Sequence, residues 1–423
     1  TVSGNAGDGI SISASNSNLV EGNFIGVNTA GTASLANGGS AISVTAGGAF
    51  NQIGGSASGA RNVIAGGPGA LSPHIGLLID NSPSNVVQGN YIGTNAAGDA
   101  AIGTSGQGVF INGSGSIGNT IGGSLAGEGN VISGNGLDGV TILGGASGNS
   151  IQGNVIGLAA DGDAALGNGA NGILIDGAGS TLIGGLVPEA RNVISANGEY
   201  GIQLANPATD STEIKGNYIG LDATGASDRG NTLAGILAFD TTDTSIGSGE
   251  AGGGNVVSGN GGDGIVVDGP QTTAPIIKGN YIGVDANGAA AVANSLAGLA
   301  VKGGASGFTI GGVLDAERNV ISGNTEDGAF LDGVSNLNLY NNYIGVAADG
   351  TSPLGNGLDG VLVVNSSLSI EVGGTAAGQS NVIAHNGTNG VELDSTANRV
   401  SIRRNAIHTN GSGGIAIAAG GNG

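Results

Sequence analysis

The chain of 423 residues contains no cysteine, no methionine and no tryptophan. Disulfides, thiolate metal sites and cysteine nucleophiles are therefore excluded. No apolar run approaches the ~20 residues of a membrane-spanning helix, so membrane insertion is not expected. Only ten Lys and Arg stand against 31 Asp and Glu, a net charge of −21. Such a surface repels phosphate backbones and anionic lipid, which argues against a nucleic-acid partner. Acidic excess without cysteine is compatible with an exported protein in a calcium-containing medium. The chain opens at Thr1 with no initiator Met and no signal-like segment, as expected of a processed or excised piece. Aromatics are only 3 % and charged residues 10 %. Disorder would need high charge and few aliphatics, yet 39 % of the residues are hydrophobic. Glycine, by contrast, is abundant, at 91 residues. Without a strict three-residue period this is not collagen. What remains is a β-rich chain with very many turns.

The pentapeptide GNYIG begins at 89, 216 and 279, with GNFIG at 22, GNVIG at 153 and NNYIG at 341. Its Asn recurs at 23, 90, 154, 217, 280, 342 and 405, roughly every 63 residues. A second anchor, N-V-[IV], interleaves with it, with Asn at 62, 130, 192, 255, 319 and 381. Between anchors lie apolar runs of three to five residues with period two, such as GVTIL and SIQ after Asn130. Gly, Asn, Asp and Ser separate them and supply the positive φ angles of tight turns. Three strands per ~24 residues, with no helix between, describe one coil of a three-sided parallel β-helix. Each strand pairs with its counterpart one coil on, so crossover helices are not needed.

The strand G-[VIL]-x-[ILV] counts the coils. Its fourteen copies begin at Ile10, Ile42, Leu77, Val109, Val140, Ile173, Ile202, Ile236, Ile265, Leu299, Ala329, Val361, Val391 and Ile415. About fourteen coils at ~4.8 Å each predict a rod of roughly 65 Å. The expected organisation is one all-β solenoid over residues 1–423. It comprises six two-coil units of ~63 residues, alternating short and long coils, and a degenerate last coil over 403–423. The loop after GNYIG in each long coil is expected to project outward, to pair with nothing fixed and to drift in sequence.

Merging both anchors gives one Asn per coil at one corner. An amide carries donors and an acceptor, so stacked copies can bond along the column. A structural ladder is expected in preference to ligand binding. An Asn ladder at a sharp corner between two strands resembles the right-handed parallel β-helices of the pectate-lyase-like superfamily. GNYIG-x(n)-G-N-G-x-x-G-[IV]-x-[IV], followed by IGG…RNVISGN, resembles more specifically the repeats of very large exported bacterial surface proteins. The resemblance covers essentially the whole chain and implies the fold. It leaves activity open, because such folds carry lyases, hydrolases, epimerases, tailspikes, adhesins and inert stalks.

Lyases and galacturonases of that superfamily work on one face, with clustered Asp beside Lys or Arg. The outward centre of the fourteen-copy strand, from Ser11 and Ser43 to Glu392 and Ala416, has one acid and no base. That face is expected to lack the paired carboxylates of sugar cleavage, and the G-H-G and R-I-K motifs of galacturonases are missing. No catalytic, cofactor or metal residue is assigned. Four candidates were weighed. His385 and His408, 23 residues apart with Arg403 and Arg404 nearby, could together ligate a metal but read better as turn residues. Asp222 and Asp285 open two long loops where other copies have Asn28, Asn95, Ala159 and Ala347. Calcium needs six to eight oxygens, so Asx turns are expected, with calcium as the alternative. Phe24, Tyr91, Tyr218, Tyr281 and Tyr343 form a column broken by Val155. It would either stack sugars or cover the adjacent loop, and the second is expected. Last, the apolar outward residues Phe110, Leu174, Leu237, Ala300 and Leu362 should be covered, by long loops through Ile102, Leu166 and Leu354 or by another chain.

The combined reading is a structural or adhesive extracellular rod, cut from a large secreted or cell-surface protein and not an enzyme. Its alternative is a polysaccharide-binding or polysaccharide-degrading module. Neither end shows a cap, so the partners expected are continued sequence or another copy at the coil ends, and surface polysaccharide.

Overall fold

The computed structural model describes residues 1–66 and 74–422. It forms two compact units, Thr1–Thr212 and Glu213–Gly423. In each, every coil runs through three short strands, for example Val140–Leu143, Ser150–Gln152 and Val155–Ile156. Like strands of successive coils pair in parallel, giving three sheets named here in chain order. The first unit contributes seven, six and six strands to the first, second and third sheets, and the second unit contributes seven to each. Helix among the described residues is limited to two single 3-10 turns, Pro188–Ala190 and Asp315–Glu317.

Register follows the repeat. Val140 pairs Ile173 and Ile142 pairs Ile175, and these aliphatics fill the coil interior while Leu174 between them points out. Twelve of the fourteen first-sheet strands begin at the residue expected from sequence. The last two, Asn389–Leu393 and Gly413–Ile417, begin two residues earlier. The segment after Arg403 retains two strands in register with the preceding coil.

The expected Asn ladder is present in both units. In the first unit Asn62 Nδ2 donates to Asn90 Oδ1 at 2.9 Å and to Val20 O at 2.8 Å. Asn90, Asn130 and Asn154 repeat the pattern. In the second unit the chain of bonds runs from Asn217 through 255, 280, 319, 342 and 381 to Asn405, at 2.9–3.2 Å. Each amide satisfies a backbone carbonyl of the preceding coil as well as its neighbour, so the buried corner leaves few polar groups unpaired.

Two further ladders accompany it. Asn18, 51, 85, 119 and 149 bond in series before the second sheet. Asn135, 168 and 197, and then Asn231 through 260, 294, 324, 356, 386 and 410, bond in series before the first. Each Asn of the second set stands four residues before a glycine, in N-x-x-x-G, and was countable from sequence.

The long-coil loops differ from expectation. Each folds back as a small hairpin closed by one antiparallel bridge, as at Thr94↔Ala101 and Val284↔Ala291. The hairpins then pair with one another. Ala96 N–H donates to Gly31 O, Ala160 to Gly98 O, Ala286 to Gly225 O and Ala348 to Gly288 O, at 2.8–2.9 Å. Main-chain bonds hold this column, so the side chains are free to vary while the loop is not free to move. Ile102 packs on Val27, Val63 and Ala65 with Phe24 and Ala96. On the outward face of the first sheet, Leu237, Val266 and Ala300 are buried, while Phe110, Leu174 and Leu362 are half-buried.

Candidate functional site

Seven of the fourteen turns entering first-sheet strands read D-G or N-G, with the acid or amide two residues before the first inward aliphatic. Asp138, Asp263, Asp327 and Asp359 occupy this position. One carboxylate oxygen of each reaches to the next coil. Asp138 Oδ1 accepts from Asn171 N–H at 3.0 Å and from its Nδ2 at 2.9 Å. Asp263 Oδ1 accepts from Ala297 N–H, and Asp327 Oδ1 from Asp359 N–H. Asp359 Oδ1 accepts from Asn389 N–H and from the Thr388 hydroxyl.

In the second unit these acids converge. A cleft of about 240 Å³ is lined by Asp263, Leu296, Ala297, Ala300, Lys302, Glu326, Asp327 and Phe330. Ala300 is the small residue between Val266 and Phe330 in register, which opens the hollow. Asp327 is 5 % exposed. Burial first, and then the nearby Asp359, Glu326 and Glu392, push its carboxyl up to about 6 against the Asp359 N–H bond. Burial also raises Asp263, opposed by the Ala297 N–H and by Lys302. This is a cleft with a carboxyl that titrates above the usual range, a cation and an aromatic wall. The expectation that this face lacks clustered acids is thereby corrected. The outward centres of the strands are indeed poor in acid, but the acids enter from the preceding turn, and Lys302 from the residue after the strand Leu299–Val301.

The other candidates are accounted for by local structure. His385 and His408 meet edge to face with centroids 6.0 Å apart, as their spacing implied, and His408 Nδ1 contacts Thr409 Oγ1. No group of three or more His, Cys, Asp or Glu is placed to hold a metal ion among the described residues. Asp222 Oδ1 accepts from the N–H groups of Ala226 and Ser227, and Asp285 Oδ1 from those of Ala289 and Ala290. Burial works to raise Asp222, but those N–H bonds and the Thr224 hydroxyl hold it below the usual range. Where the loop begins with Ala, the cap moves two residues along. Asp349 then accepts from Ser352 and Thr351, and their hydrogen bonds pull its carboxyl down to about 2.

The aromatic column covers its own hairpin, as expected. A Cβ on Gly98 would lie 2.8 Å from the Tyr91 ring and 2.5 Å from Ala160 Cβ, and Gly225 and Gly288 repeat this against Tyr218 and Tyr281. Elsewhere on these rings, Arg61 stacks 3.9 Å from the centroid of Tyr91 and Arg318 4.2 Å from that of Tyr343. Rings engaged by glycine and Arg are poor platforms for a sugar.

The coils, three parallel sheets and Asn corner define a right-handed parallel β-helix. Residues 229–423 match the family model described as "Right handed beta helix region". No curated protein is similar enough in sequence to match. Among solved structures, a point mutant of the periplasmic alginate epimerase AlgG is similar with a TM-score of 0.54 at 13 % identity, over 86 % of this chain and 76 % of that one. The A-module of an Azotobacter vinelandii mannuronan C-5 epimerase reaches 0.46 at 15 % identity, over 96 % and 90 %. The Dettilon tailspike protein reaches 0.37 at 15 %, over 97 % and 61 %. Similarity at this level of identity speaks to fold alone.

Proposed function

We propose that the chain is a structural or adhesive element of a large secreted or cell-surface protein, a non-catalytic extracellular scaffold in which the two units belong to one solenoid. One observation carries this reading. The Asn, turn-Asp and aromatic columns are engaged by internal hydrogen bonds and packing, so they build the coil stack and leave little for chemistry. Ile415 and Ile417, in the strand Gly413–Ile417, are 48 % and 52 % exposed, which supports pairing there with a second copy. No helix among the described residues is long and apolar enough to cross a membrane. Solution scattering over a concentration series tests the self-association. The expected result is a mass that grows with concentration, and a constant monomer mass contradicts it.

The second reading is a polysaccharide-binding or polysaccharide-modifying module. It is favoured by the cleft of Asp263, Lys302, Asp327 and Phe330, and by the likeness in fold to a periplasmic alginate epimerase. Incubation with alginate and with polygalacturonate, read by proton NMR of the sugar, separates the two. Unchanged polymer supports the scaffold, and epimerised or cleaved polymer overturns it.

A further inference from the structure

In every second coil of the second sheet a positive-φ glycine follows the last inward aliphatic, as at Gly184, Gly247 and Gly311, and it cannot be replaced without distortion. Gly247 has φ +80°, and a Cβ there would lie 2.1 Å from Lys278 O and 2.5 Å from Asn280 Oδ1. The coils on either side carry Lys215 and Lys278 at the matching position, after Ile214 and Ile277. Because residue 247 has no side chain, a slot is built in between the two lysines. Its volume is about 380 Å³, within the range of ligand sites. Glu213, Ser245, Ile276, Ser248 and Glu317 complete the walls.

The charges in this slot are paired in advance. Lys215 Nζ lies 2.6 Å from Glu213 Oε2, and Lys278 Nζ lies 3.1 Å from Glu317 Oε1. Glu317 is held further by Leu314 N–H. Ile276 is 46 % exposed between them and forms an apolar floor. With Glu250 on the rim, three carboxylates stand against two ammonium groups. In a chain of net charge −21 this gives no attraction for an anion. Each pair does offer a donor and an acceptor side by side, which is what vicinal hydroxyls need, since a hydroxyl both donates and accepts. A peptide strand would need a free sheet edge, and the slot lies on the face of a sheet whose main chain is already paired.

We infer that the slot between Lys215 and Lys278 binds a neutral saccharide, its hydroxyls on the two Lys–Glu pairs and its C–H face on Ile276. This site is separate from the Asp327 cleft and does not need the chain to be an enzyme.

The test is titration of the full chain with cellotetraose, xylotetraose and mannotetraose, and with tetragalacturonate as the acidic control, read by backbone amide shifts. At least one neutral probe should bind saturably, moving Gly247, Ser248 and Lys278, and should bind about tenfold or more tighter than tetragalacturonate. Ser245→Trp, which fills the slot and spares all charges, should weaken that probe at least about tenfold with an unchanged melting temperature. Lys278→Met should weaken it several-fold. Phe330→Ala, in the other cleft, should leave it unchanged. Lack of saturable binding by every neutral probe, tighter binding of tetragalacturonate, or full binding by Ser245→Trp overturns the proposal. Loss on Phe330→Ala instead would assign the binding to the Asp327 cleft and also overturns it.

Discussion

In the first unit, the second-sheet positions that alternate with the strand-end glycines carry Glu21, Gln88 and Gln152. In the second unit the same positions carry Lys215, Lys278, Tyr340 and Arg403. The first-sheet face shows a parallel contrast. Thr141, Leu174 and Gln203 line it before Thr212, with Asp138 bonded to both Asn171 and Thr141. After Glu213 the same face carries Asp263, Lys302, Glu326 and Asp327 around a hollow. All three lysines of the chain lie in the second unit. Coil geometry, hairpins and the Asn ladders before the first and third sheets nevertheless recur in both, while the Asn18–Asn149 ladder belongs to the first unit. The difference teaches that the repeat fixes whatever touches the next coil and leaves free whatever points to solvent between two fixed points.

That division predicts where the units should respond alike and where only the second should respond. The largest effect belongs to the shared parts. Asn90→Ala and Asn280→Ala each strand a neighbouring amide and a carbonyl in a buried corner. Each should lower stability by ~1–3 kcal/mol per group left unpaired, and by similar amounts in the two units. Urea denaturation of both variants checks this, and a large effect in one unit alone would break the shared-scaffold half of the comparison.

A similar loss is expected at the hairpin column. Gly98→Ala and Gly288→Ala place a methyl against a tyrosine ring and against the Ala of the next hairpin, at φ +75° and +66°. Overpacking of this kind should cost about 1–3 kcal/mol, measurable as a drop in unfolding midpoint for both.

The next effect should appear in the second unit. The Asp327 carboxyl is raised to about 6 in the fold, from an ordinary value near ~3.9 in the unfolded chain. The folded state then binds this proton more tightly. Its stabilising contribution is full below pH ~4 and is lost as pH rises through ~6. Asp327→Asn should flatten that part of the stability–pH curve. It should also raise stability at neutral pH by about 1–2 kcal/mol, reduced by whatever the Asp359 N–H bond loses. An unaltered slope between those pH values would contradict the burial argument.

The smallest effect is at the tyrosine faces. Arg61→Met and Arg318→Met should each remove about 0.5–1 kcal/mol of cation–π contact. Thermal melts of both variants would show whether the two sites are equivalent, given that Arg318 also bonds Asn341 and Asp315.

Much of this was legible in the sequence, and the omissions have physical reasons. The anchor Asn column could be read because a side-chain ladder needs the same side chain in every coil. The Asn135–Asn410 column meets the same condition but is less conspicuous, because the residues around its Asn vary from coil to coil, as in GNGLDG, ANGEYG and HNGTNG. The hairpin column was hidden, because its bonds join main-chain N–H and C=O groups and leave no residue signature beyond one glycine and one small residue. The Asp263–Asp327 cleft was missed because only the centre of each strand was searched for acids. A turn residue two positions earlier, held upright by its bond to the next coil, reaches the same face.

Under the proposed scaffold reading, ligand binding falls at the two polar clefts of the second unit, Lys215–Lys278 and Asp263–Asp327, without turnover. Amide shift mapping of the intact chain against neutral and acidic oligosaccharides, with the sugars recovered and analysed afterwards, tests it most directly. The account predicts shifts clustered between Glu213 and Phe330, none in the hairpins and sheet faces before Thr212, and unaltered sugars. Binding on the first unit, or recovery of a cleaved or epimerised sugar, would contradict it.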